Sequence, residues 1–514
     1  MTSILNFETL DFECSKAWEL IGDGNTKGVF QLESRLGQSM SKKLKPSNIE
    51  ELAALISIMR PGCLEAFRDG KSVSNHFIDK KNGLESIDYF HPSLESVLKT
   101  TFGEMVYQEQ AMEICQKIAN FDLTEADMLR KAIGKKNPEE MNKIKDLFLK
   151  KTAQANIVSK DESEKIFSWI EKSQRYSFNK SHAISYAMNA YVSAYAKAHY
   201  PLQFFVSYLK FAKDKIDPMR EIAELVSNAN SSDIMIKVPD FRKLDKEFAL
   251  YDNVIYFGLT NIKGVGESIF TKLSDLIKHY DLQISTLNAN KVLFLILDQL
   301  NSTASKNMLS VGCFDYLKIG RKKMIFYLEI IQNLSKREKD IIINNFDILD
   351  KSLIEILQFI LPHVNKKRYA VIESLIKAVD NPAYSLTDDC EWIANIEKHL
   401  LGSPITCSIV DSRNLEEANT DCRSLSKQSH IPKSIIVGAE INEINVVKTK
   451  TGKNPGQDMA FVKIADGTGS VDLVIFPKEY TDYQHILYND NTVLFNLEQS
   501  KKKDSFIVKK CWQL

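Results

Sequence analysis

The chain has 514 residues, of which 44% are hydrophobic and 26% are charged, as in ordinary globular proteins. Lysine plus arginine and aspartate plus glutamate both number 67, so the net charge indicates no partner and only local clusters of charge can. No apolar run approaches the ~18 residues of a membrane span, and the first residues lack the basic start of an export signal, which excludes a membrane-spanning or exported protein.

The length and the cysteines set two further expectations. A chain of this size accommodates roughly three domains. The eight cysteines are scattered without a CxxC pair, which excludes a zinc ribbon and provides no disulfide framework. The sequence therefore predicts a protein of the reducing cytoplasm.

A helix is predicted between Pro46 and Arg60. Ser47 or Asn48 caps it, and apolar residues follow at helical spacing. The segment Arg60-Pro61-Gly62 ends it, because proline disfavours helical backbone in the residue before it. Arg60 then lies at a helix end, where it either offsets the helix dipole or contacts DNA.

The segment from Asp122 to Glu140 carries a compact basic elbow. Thr124 is predicted to cap a first helix, with Asp127 as a weak capping partner, and Gly134 to end it. Asn137 and Pro138 are predicted to start a second helix. Four cations lie at the end of the first helix and in the turn: Arg130, Lys131, Lys135 and Lys136.

Two interpretations of this elbow are open. Cations at a helix C-terminus offset the dipole, an effect of about 0.3–1 kcal/mol each. Four cations exceed that need, so the alternative is a grip for a polyphosphate or a nucleic-acid backbone.

A second basic cluster precedes the long helix that Pro201 closes. Asn179, Lys180, Ser181 and His182 lie at its start, where the backbone amides and the positive pole of the helix favour phosphate. His182 could instead be a capping or packed histidine. The alanines between 183 and 198 predict close packing of this helix.

Residues 256–268 have the shape of a helix-hairpin-helix turn. Gly264 and Gly266 allow the backbone to approach a phosphate, Lys263 precedes them, and a helix follows at once. This pattern predicts binding to a DNA backbone without sequence preference. The partner half of the unit is predicted at 309–323, where Arg321, Lys322 and Lys323 follow Gly320.

The last 85 residues change to short β-branched segments separated by turn signals. Five such strands predict an OB barrel, a common module for single-stranded nucleic acid. Lys501 and Lys502 lie in one of its loops, where they either contact DNA or are simply solvated.

Several motifs in collinear order closely resemble the replicative DNA polymerase III alpha subunit of bacteria, a C-family polymerase. They are Gly28 to Ser34, Arg60-Pro61-Gly62, Tyr107-Gln108-Glu109-Gln110, LRKAIGKKNPEEM from Leu129, FNKSHAISYA from Phe178 and KGVGE from Lys263. The resemblance covers nearly the whole chain and is weakest from about 325 to 430.

The resemblance implies a multidomain protein with mostly α-helical fingers and helix-hairpin-helix domains, followed by a small all-β OB barrel. The expected domains are fingers at 1–235, a tandem helix-hairpin-helix or clamp-binding-like domain at 236–345, a helical and irregular connector at 346–430, and the OB domain at 431–514. The implied ligands are an incoming dNTP and primer-template DNA, with Mg²⁺ as the cofactor.

The resemblance also assigns the candidate site residues. Those expected to bind the nucleotide are Arg130, Lys131, Lys135, Lys136, Asn179, Lys180, Ser181 and His182. Those expected to bind DNA are Arg60, Lys263, Gly264, Gly266, Arg321, Lys322, Lys323, Lys501 and Lys502.

One departure from the family bears on activity. The family carries a PHP domain, a thumb and a palm with three metal-binding aspartates upstream of the Gly28–Ser34 segment. Here only Asp11 and Glu13 offer closely spaced acids before it, at positions where the family has no catalytic residue. The expectation is a split polymerase that is active only with a second chain supplying the palm carboxylates, because two-metal phosphoryl transfer needs them.

Several alternatives stay open at this point. The split could arise by gene division or by trans-splicing. The chain could be a truncated piece of a longer gene, or a DNA-binding protein that kept the fold and lost the chemistry. A sliding clamp is a further candidate partner, although no convincing clamp-binding peptide stands between 325 and 430.

Overall fold

The computed structural model describes residues 9–135, 138–173, 176–428, 431–449, 455–500 and 505–514, without the side chains of residues 133–138. The chain divides into two compact units, Met1–Phe204 and Phe205–Leu514. Mostly helical structure followed by a β-barrel confirms the predicted fold class. The four domain boundaries stay predictions, and the division into units falls about thirty residues before the end expected for the fingers.

The first unit is helical apart from a short hairpin. Its elements are α1 (Ser15–Gly22), α2 (Arg35–Leu44), α3 (Ile49–Ile58), α4 (Pro61–Glu65), β1 (Phe67–Arg68), β2 (Lys71–Ser72), α5 (Val73–Lys81), α6 (Glu95–Leu98), α7 (Gln108–Ala119), α8 (Leu123–Lys135), α9 (Pro138–Ala155), α10 (Lys160–Ser173) and α11 (Lys180–His199). The next helix, α12 (Pro201–Phe211), contains the division between the units.

The packing of α11 against α3 forms one core of this unit. Small side chains recur on the buried face of α11, and all are fully buried: Ala183, Ala187, Ala190 and Ala194. Their spacing puts them on one side of the helix, so the backbone of α11 can approach its neighbours closely. Asn48 caps α3 by accepting a hydrogen bond from the amide of Glu51, as expected.

A second core joins α7, α8, α9 and α10. Ala111 and Ile114 of α7, Leu129 and Ala132 of α8, and Phe148 of α9 are all fully buried in it. The end of α8 is therefore anchored by apolar packing, and its polar face is left to solvent.

Lys197, near the end of α11, is buried and anchors the loop that leads into Gly28–Ser34. Its ammonium donates to the carbonyl oxygen of Asn25 at 3.0 Å, to the Asn25 side chain at 3.1 Å and to the carbonyl oxygen of Lys27 at 2.9 Å. Burial, with the positive charge of Lys27 nearby, lowers the pKa of Lys197 to about 7.

The second unit contains helices, a small sheet and the barrel. Its helices are α13 (Pro218–Ser231), α14 (Glu267–His279), α15 (Ala289–Lys291), α16 (Ser302–Ser310), α17 (Arg321–Gln332), α18 (Lys336–Asn344), α19 (Leu353–Ile360), α20 (Lys366–Asp380), α21 (Cys390–Leu401), α22 (Cys422–Ser426) and α23 (Pro477–Tyr483). Its strands are β3 (Ile236–Lys237), β4 (Ala249–Tyr251), β5 (Val254–Tyr256), β6 (Ile435–Lys448), β7 (Asp458–Ala465), β8 (Ser470–Ile475), β9 (Thr492–Gln499) and β10 (Phe506–Gln513).

Strands β6 to β10 close into a barrel of order β10-β8-β7-β6-β9. The long β6 pairs with β9 through its first half and with β7 through its second, with a register shift between Ile441 and Glu443. The β8–β10 pair is parallel, and α23 lies between β8 and β9 in the chain. This is the strand order of an OB barrel, so that prediction is confirmed.

Arg321, predicted to contact DNA, is instead a buried structural residue. Its guanidinium is 3% exposed and donates to Glu397 at 2.7 Å and to Asp315 at 2.7 Å. Burial alone would lower the pKa of Arg321, but these two carboxylates outweigh it and raise the pKa above its ordinary value. The assignment of Arg321 to DNA binding is therefore wrong, because its donors are already used inside the protein.

Glu397 completes this buried network. It is fully buried and accepts, besides Arg321, the amides of Ile405 and Thr406 at 2.7 and 2.8 Å. The network thus ties the start of α17 and the end of α21 to the segment that follows α21.

The burial of Lys197 predicts a pH dependence. A lysine whose pKa is lower in the folded state than in the unfolded state binds fewer protons when folded, so stability rises with pH between about 7 and 10.5. We expect Lys197→Met to remove a slope of at most about 1.4 kcal/mol per pH unit in that window. Urea unfolding of both proteins from pH 7 to pH 10 checks this. An identical slope in the two proteins contradicts it.

The Arg321 network predicts a large loss of stability. Breaking a buried ion pair by removing one partner costs about 3–5 kcal/mol, because the other charge is left buried and unpaired. We expect Arg321→Ala to remove the hydrogen-exchange protection of α17 and α21, whereas Lys323→Ala, an exposed cation on the same helix, leaves it unchanged. Equal protection in the two variants argues against the network.

Candidate nucleotide site and DNA-backbone site

The cap of the elbow helix α8 lies two residues earlier than the sequence suggested. The amide of Asp122 donates to Glu125 at 2.9 Å, and the amide of Glu125 donates to Asp122 at 2.8 Å, which is a reciprocal cap. The predicted cap at Thr124 is therefore wrong. The helix also continues through Gly134 to Lys135 rather than ending at the glycine.

Two of the four elbow cations are described, and one carboxylate holds both. Arg130 donates to Asp127 through Nε at 2.9 Å and Nη2 at 2.8 Å, and Lys131 Nζ lies 2.8 Å from the second oxygen. Lys131 and Arg130 together keep the pKa of Asp127 below its ordinary value. Both cations remain about half exposed, so an incoming anion can reach them. The side chain of Lys135 and the whole of Lys136 lie outside the described residues.

The start of α11 is organised by Asn179 and by Glu109, a residue of α7 that sequence reasoning left without a role. Asn179 caps the helix by accepting the amide of His182 at 2.9 Å. Glu109 accepts the side-chain amide of Asn179 at 2.8 Å and the backbone amide of Lys180 at 2.9 Å. A carboxylate of the protein thus occupies part of the anion-binding position predicted for a phosphate.

The exposed groups at this helix start are side chains. Lys180 Nζ lies 3.7 Å from Glu50 and 5.8 Å from the centre of the Tyr107 ring. Ser181 and His182 are exposed, and Ser181 donates to Asn179 at 2.7 Å. Any phosphate bound here would contact mainly side chains, because two of the first helical amides already have acceptors within the chain.

Phe178 connects Arg60 to this cluster. The Arg60 guanidinium lies 3.5 Å above its ring, and His182 meets the edge of the same ring at 5.3 Å. The backbone of Phe178 is fixed by hydrogen bonds with Val106 and Gln108, both 2.9 Å long. Arg60 is exposed, so DNA contact through it stays a prediction.

Helix α7 connects the two basic clusters of the first unit. Glu109 in its first turn binds the start of α11, and α8 follows after a connection of three residues, 120–122. So short a connection between packed helices is typical of antiparallel neighbours. We therefore expect the basic end of α8 to lie toward the first turn of α7.

The helix-hairpin-helix turn at residues 256–268, the first hairpin, leaves the start of α14 open. Gly264 has φ +85°, a conformation that favours glycine, and Asn307 braces the turn by donating to the carbonyl oxygen of Lys263 at 2.7 Å. Within the described chain, no side chain accepts from the amides of Glu267 and Ser268 at the start of α14. A cavity of about 730 Å³ borders residues 260–266.

The partner turn at residues 309–323, the second hairpin, has no open helix start, because a carboxylate occupies the start of α17. Asp388 accepts the amides of Arg321 and Lys322 at 2.7 and 2.9 Å, which fills the start of α17 with a carboxylate. Lys322 pairs with Asp389 at 2.5 Å. Lys323 is exposed, 5.6 Å from the Tyr327 ring centre. Lys501 and Lys502 lie outside the described residues.

The described residues contain no group of three or more histidine, cysteine, aspartate or glutamate side chains that could hold a metal ion. None of their helices is both long and apolar enough to cross a membrane.

Comparison with known proteins identifies relatives along the whole chain. Residues 2–156 match the family model of the bacterial DNA polymerase III alpha subunit finger domain. The DNA polymerase III subunit alpha of Aquifex aeolicus is 31% identical over 95% of this chain, that of Chlamydia pneumoniae 28% over 99%, and that of Staphylococcus aureus 29% over 97%. The chain spans 38%, 38% and 43% of the lengths of these relatives, respectively.

The hydrogen bonds of Glu109 predict a local loss of order at the start of α11. Losing a cap-type hydrogen bond at a helix start costs about 0.5–2 kcal/mol, and Glu109→Ala removes the acceptors of the Lys180 amide and of the Asn179 side chain. We expect faster hydrogen exchange in the first turn of α11. Glu113→Ala, which removes an exposed glutamate of the same helix, serves as the control and leaves that exchange rate unchanged. Similar exchange in both variants would contradict the assigned role.

Proposed function

Because this chain is a homologue of part of the bacterial DNA polymerase III alpha subunit, from the finger domain onward, we propose that it supplies the nucleotide-binding and DNA-binding portion of a replicative DNA polymerase. The reaction is template-directed transfer of a nucleotide from a dNTP to a primer end. A second chain carries the palm carboxylates, as in a split polymerase.

The arrangement around α7 is the observation that supports this proposal. One helix holds the start of α11 through Glu109 and packs against α8, whose end carries Arg130 and Lys131. We infer that the two clusters face one cleft and receive the triphosphate of the nucleotide between them. A protein that only binds DNA has no need of such a second, paired cluster of cations.

Each group of the chain has a proposed role in binding. Arg130 and Lys131 exchange Asp127 for phosphate oxygens, since exposed ion pairs contribute only about 0.2–1 kcal/mol. Lys180 and His182 approach the triphosphate from the start of α11, with Asn179 and Ser181 holding the turn. Lys135 and Lys136 add positive charge to the elbow.

In this proposal the partner chain and the nucleotide bind the magnesium ions. As the resemblance to C-family polymerases implies, we assign Mg²⁺ to the partner's carboxylates and to the triphosphate. The metal supplies charge neutralisation and activation of the primer hydroxyl there. This chain contributes binding and orientation.

The second unit holds the DNA. We propose that Lys263, Gly264 and Gly266 contact the duplex backbone at the open start of α14, with Lys322 and Lys323 as peripheral cations. Arg60, Lys501 and Lys502 remain proposed DNA contacts. The cytoplasm is the proposed location, and a sliding clamp is a candidate partner.

Equilibrium binding of a fluorescent dNTP to the chain, alone and with a palm-bearing partner, tests the nucleotide site. A hydrogen bond to a charged group contributes about 1.5–3 kcal/mol, so we expect Arg130→Ala to weaken binding about tenfold or more. Binding of primer-template DNA should change little. Lys165→Ala, an exposed lysine of α10, is the matched control.

Primer extension with the partner separates this proposal from its alternative. Extension that requires both chains and falls in Arg130→Ala supports the polymerase function. DNA binding that depends on Lys263, without dNTP binding and without extension, would identify a DNA-binding protein that has lost the chemistry. Extension unaffected by Arg130→Ala would refute the nucleotide grip.

A further inference from the structure

A cysteine and a histidine at the opposite end of α11 form a pair that the proposed function does not use. The sulfur of Cys14 lies 3.1 Å from Nε2 of His199. Cys14 is half-buried and His199 is exposed, so the pair is accessible to a small reagent. Helix α11 has 20 residues and is about 30 Å long, which separates this pair from Asn179.

Two features of the structure bear on the reactivity of the Cys14 sulfur. The imidazole of His199 can accept the thiol proton across the short contact, as in the cysteine–histidine pairs of nucleophilic enzymes. Cys14 is also the N-cap of α1, where the positive pole of the helix favours a negative charge.

Aromatic rings hold His199 in place. The ring of Tyr195 stacks on it at 4.2 Å, and the ring of Tyr200 lies 6.5 Å away. The neighbouring Tyr191 donates its hydroxyl to the carbonyl oxygen of Asp11 at 2.7 Å. The titratable neighbours of the pair are thus these three tyrosines and Asp11, and no cation of the described chain forms a hydrogen bond or ion pair with either member.

The remaining cysteines lack such a partner. Burial raises the pKa of Cys63 and of Cys511 to about 12 and raises those of Cys115, Cys313 and Cys422 as well. Cys407 and Cys390 are half-buried and donate to backbone carbonyl oxygens, so neither meets a base. In the described residues Cys14 is the cysteine that meets a histidine.

We propose that Cys14 is a site of reversible S-thiolation by small-molecule disulfides, with His199 as its general base and acid. The Cys14 thiolate attacks one sulfur of the disulfide, and the new sulfur–sulfur bond forms as the old one breaks. Cys14 is oxidised, and the departing sulfur is reduced to a thiolate. That thiolate takes the proton that His199 received from Cys14, so protons and electrons balance.

Site-resolved mass spectrometry of the full chain treated with oxidised glutathione or iodoacetamide tests this proposal. At pH 7 we expect Cys14 to react about tenfold faster than Cys390, because His199 can take the proton of the Cys14 thiol, whereas the Cys390 thiol donates to the carbonyl oxygen of Ser408. His199→Gln keeps a polar side chain but cannot take the proton. It should slow Cys14 about fivefold or more at pH 7, with the difference vanishing above pH 9.

The controls make the outcome decisive. His279→Gln, which changes an exposed histidine in the other unit, should leave the rate at Cys14 unchanged. Equal rates at Cys14 and Cys390, or a rate at Cys14 that His199→Gln does not alter, would overturn the proposal. These measurements need neither dNTP nor DNA, so they are independent of the polymerase function.

Discussion

The contact between Glu109 and the start of α11 is the constraint on which the arrangement of the first unit depends. It is a link between segments 70 residues apart in the chain, and it gives the Lys180 amide an acceptor before any ligand arrives. The helix start is thereby held in one position. The consequence is that backbone amides contribute less to binding an anion, and positively charged side chains contribute more.

A carboxylate also accepts the first amides of the helix at the second hairpin, whereas none of the described residues does so at the first. Asp388 fills the start of α17 as Glu109 fills that of α11, whereas the start of α14 has no such carboxylate among the described residues. Two hairpins of similar sequence character therefore differ in what they can bind. The first leaves the amides at its helix start without a carboxylate acceptor among the described residues, and the second is a structural joint that the buried Arg321–Glu397 ion pair holds together.

Local sequence patterns predicted the elements of the fold well. Alternating β-branched residues indicated the five barrel strands, and the alanines of α11 indicated its close packing. The cap of α8 was missed although Asp122 and Glu125 form a legible D-x-x-E pattern, because Thr124 also fits the preference for a cap. Both candidates lie within one turn, and only the backbone geometry decides between them.

The site was less predictable from the sequence. Acidic partners far away in the chain determine whether a cation stays accessible to a ligand or is held inside the protein. Nothing near Glu109 in the sequence indicates Asn179 as its partner. Arg321 and Arg130 look alike in sequence, since each begins a short run of basic residues. The difference between them is supplied by Glu397, which lies 76 residues beyond Arg321.

Burial is therefore what separates a cation that can bind a ligand from one that supports the fold. Arg130 and Lys131 hold Asp127 in solvent, where an ion pair contributes about 0.2–1 kcal/mol and can be exchanged for a phosphate at little cost. Arg321 holds Glu397 away from solvent, where separating the charges would leave both of them uncompensated. Arg130 can therefore exchange its carboxylate partner at little cost, whereas Arg321 cannot leave Glu397 without leaving a buried charge unpaired. The elbow, and not the second hairpin, keeps its described cations accessible to an anion.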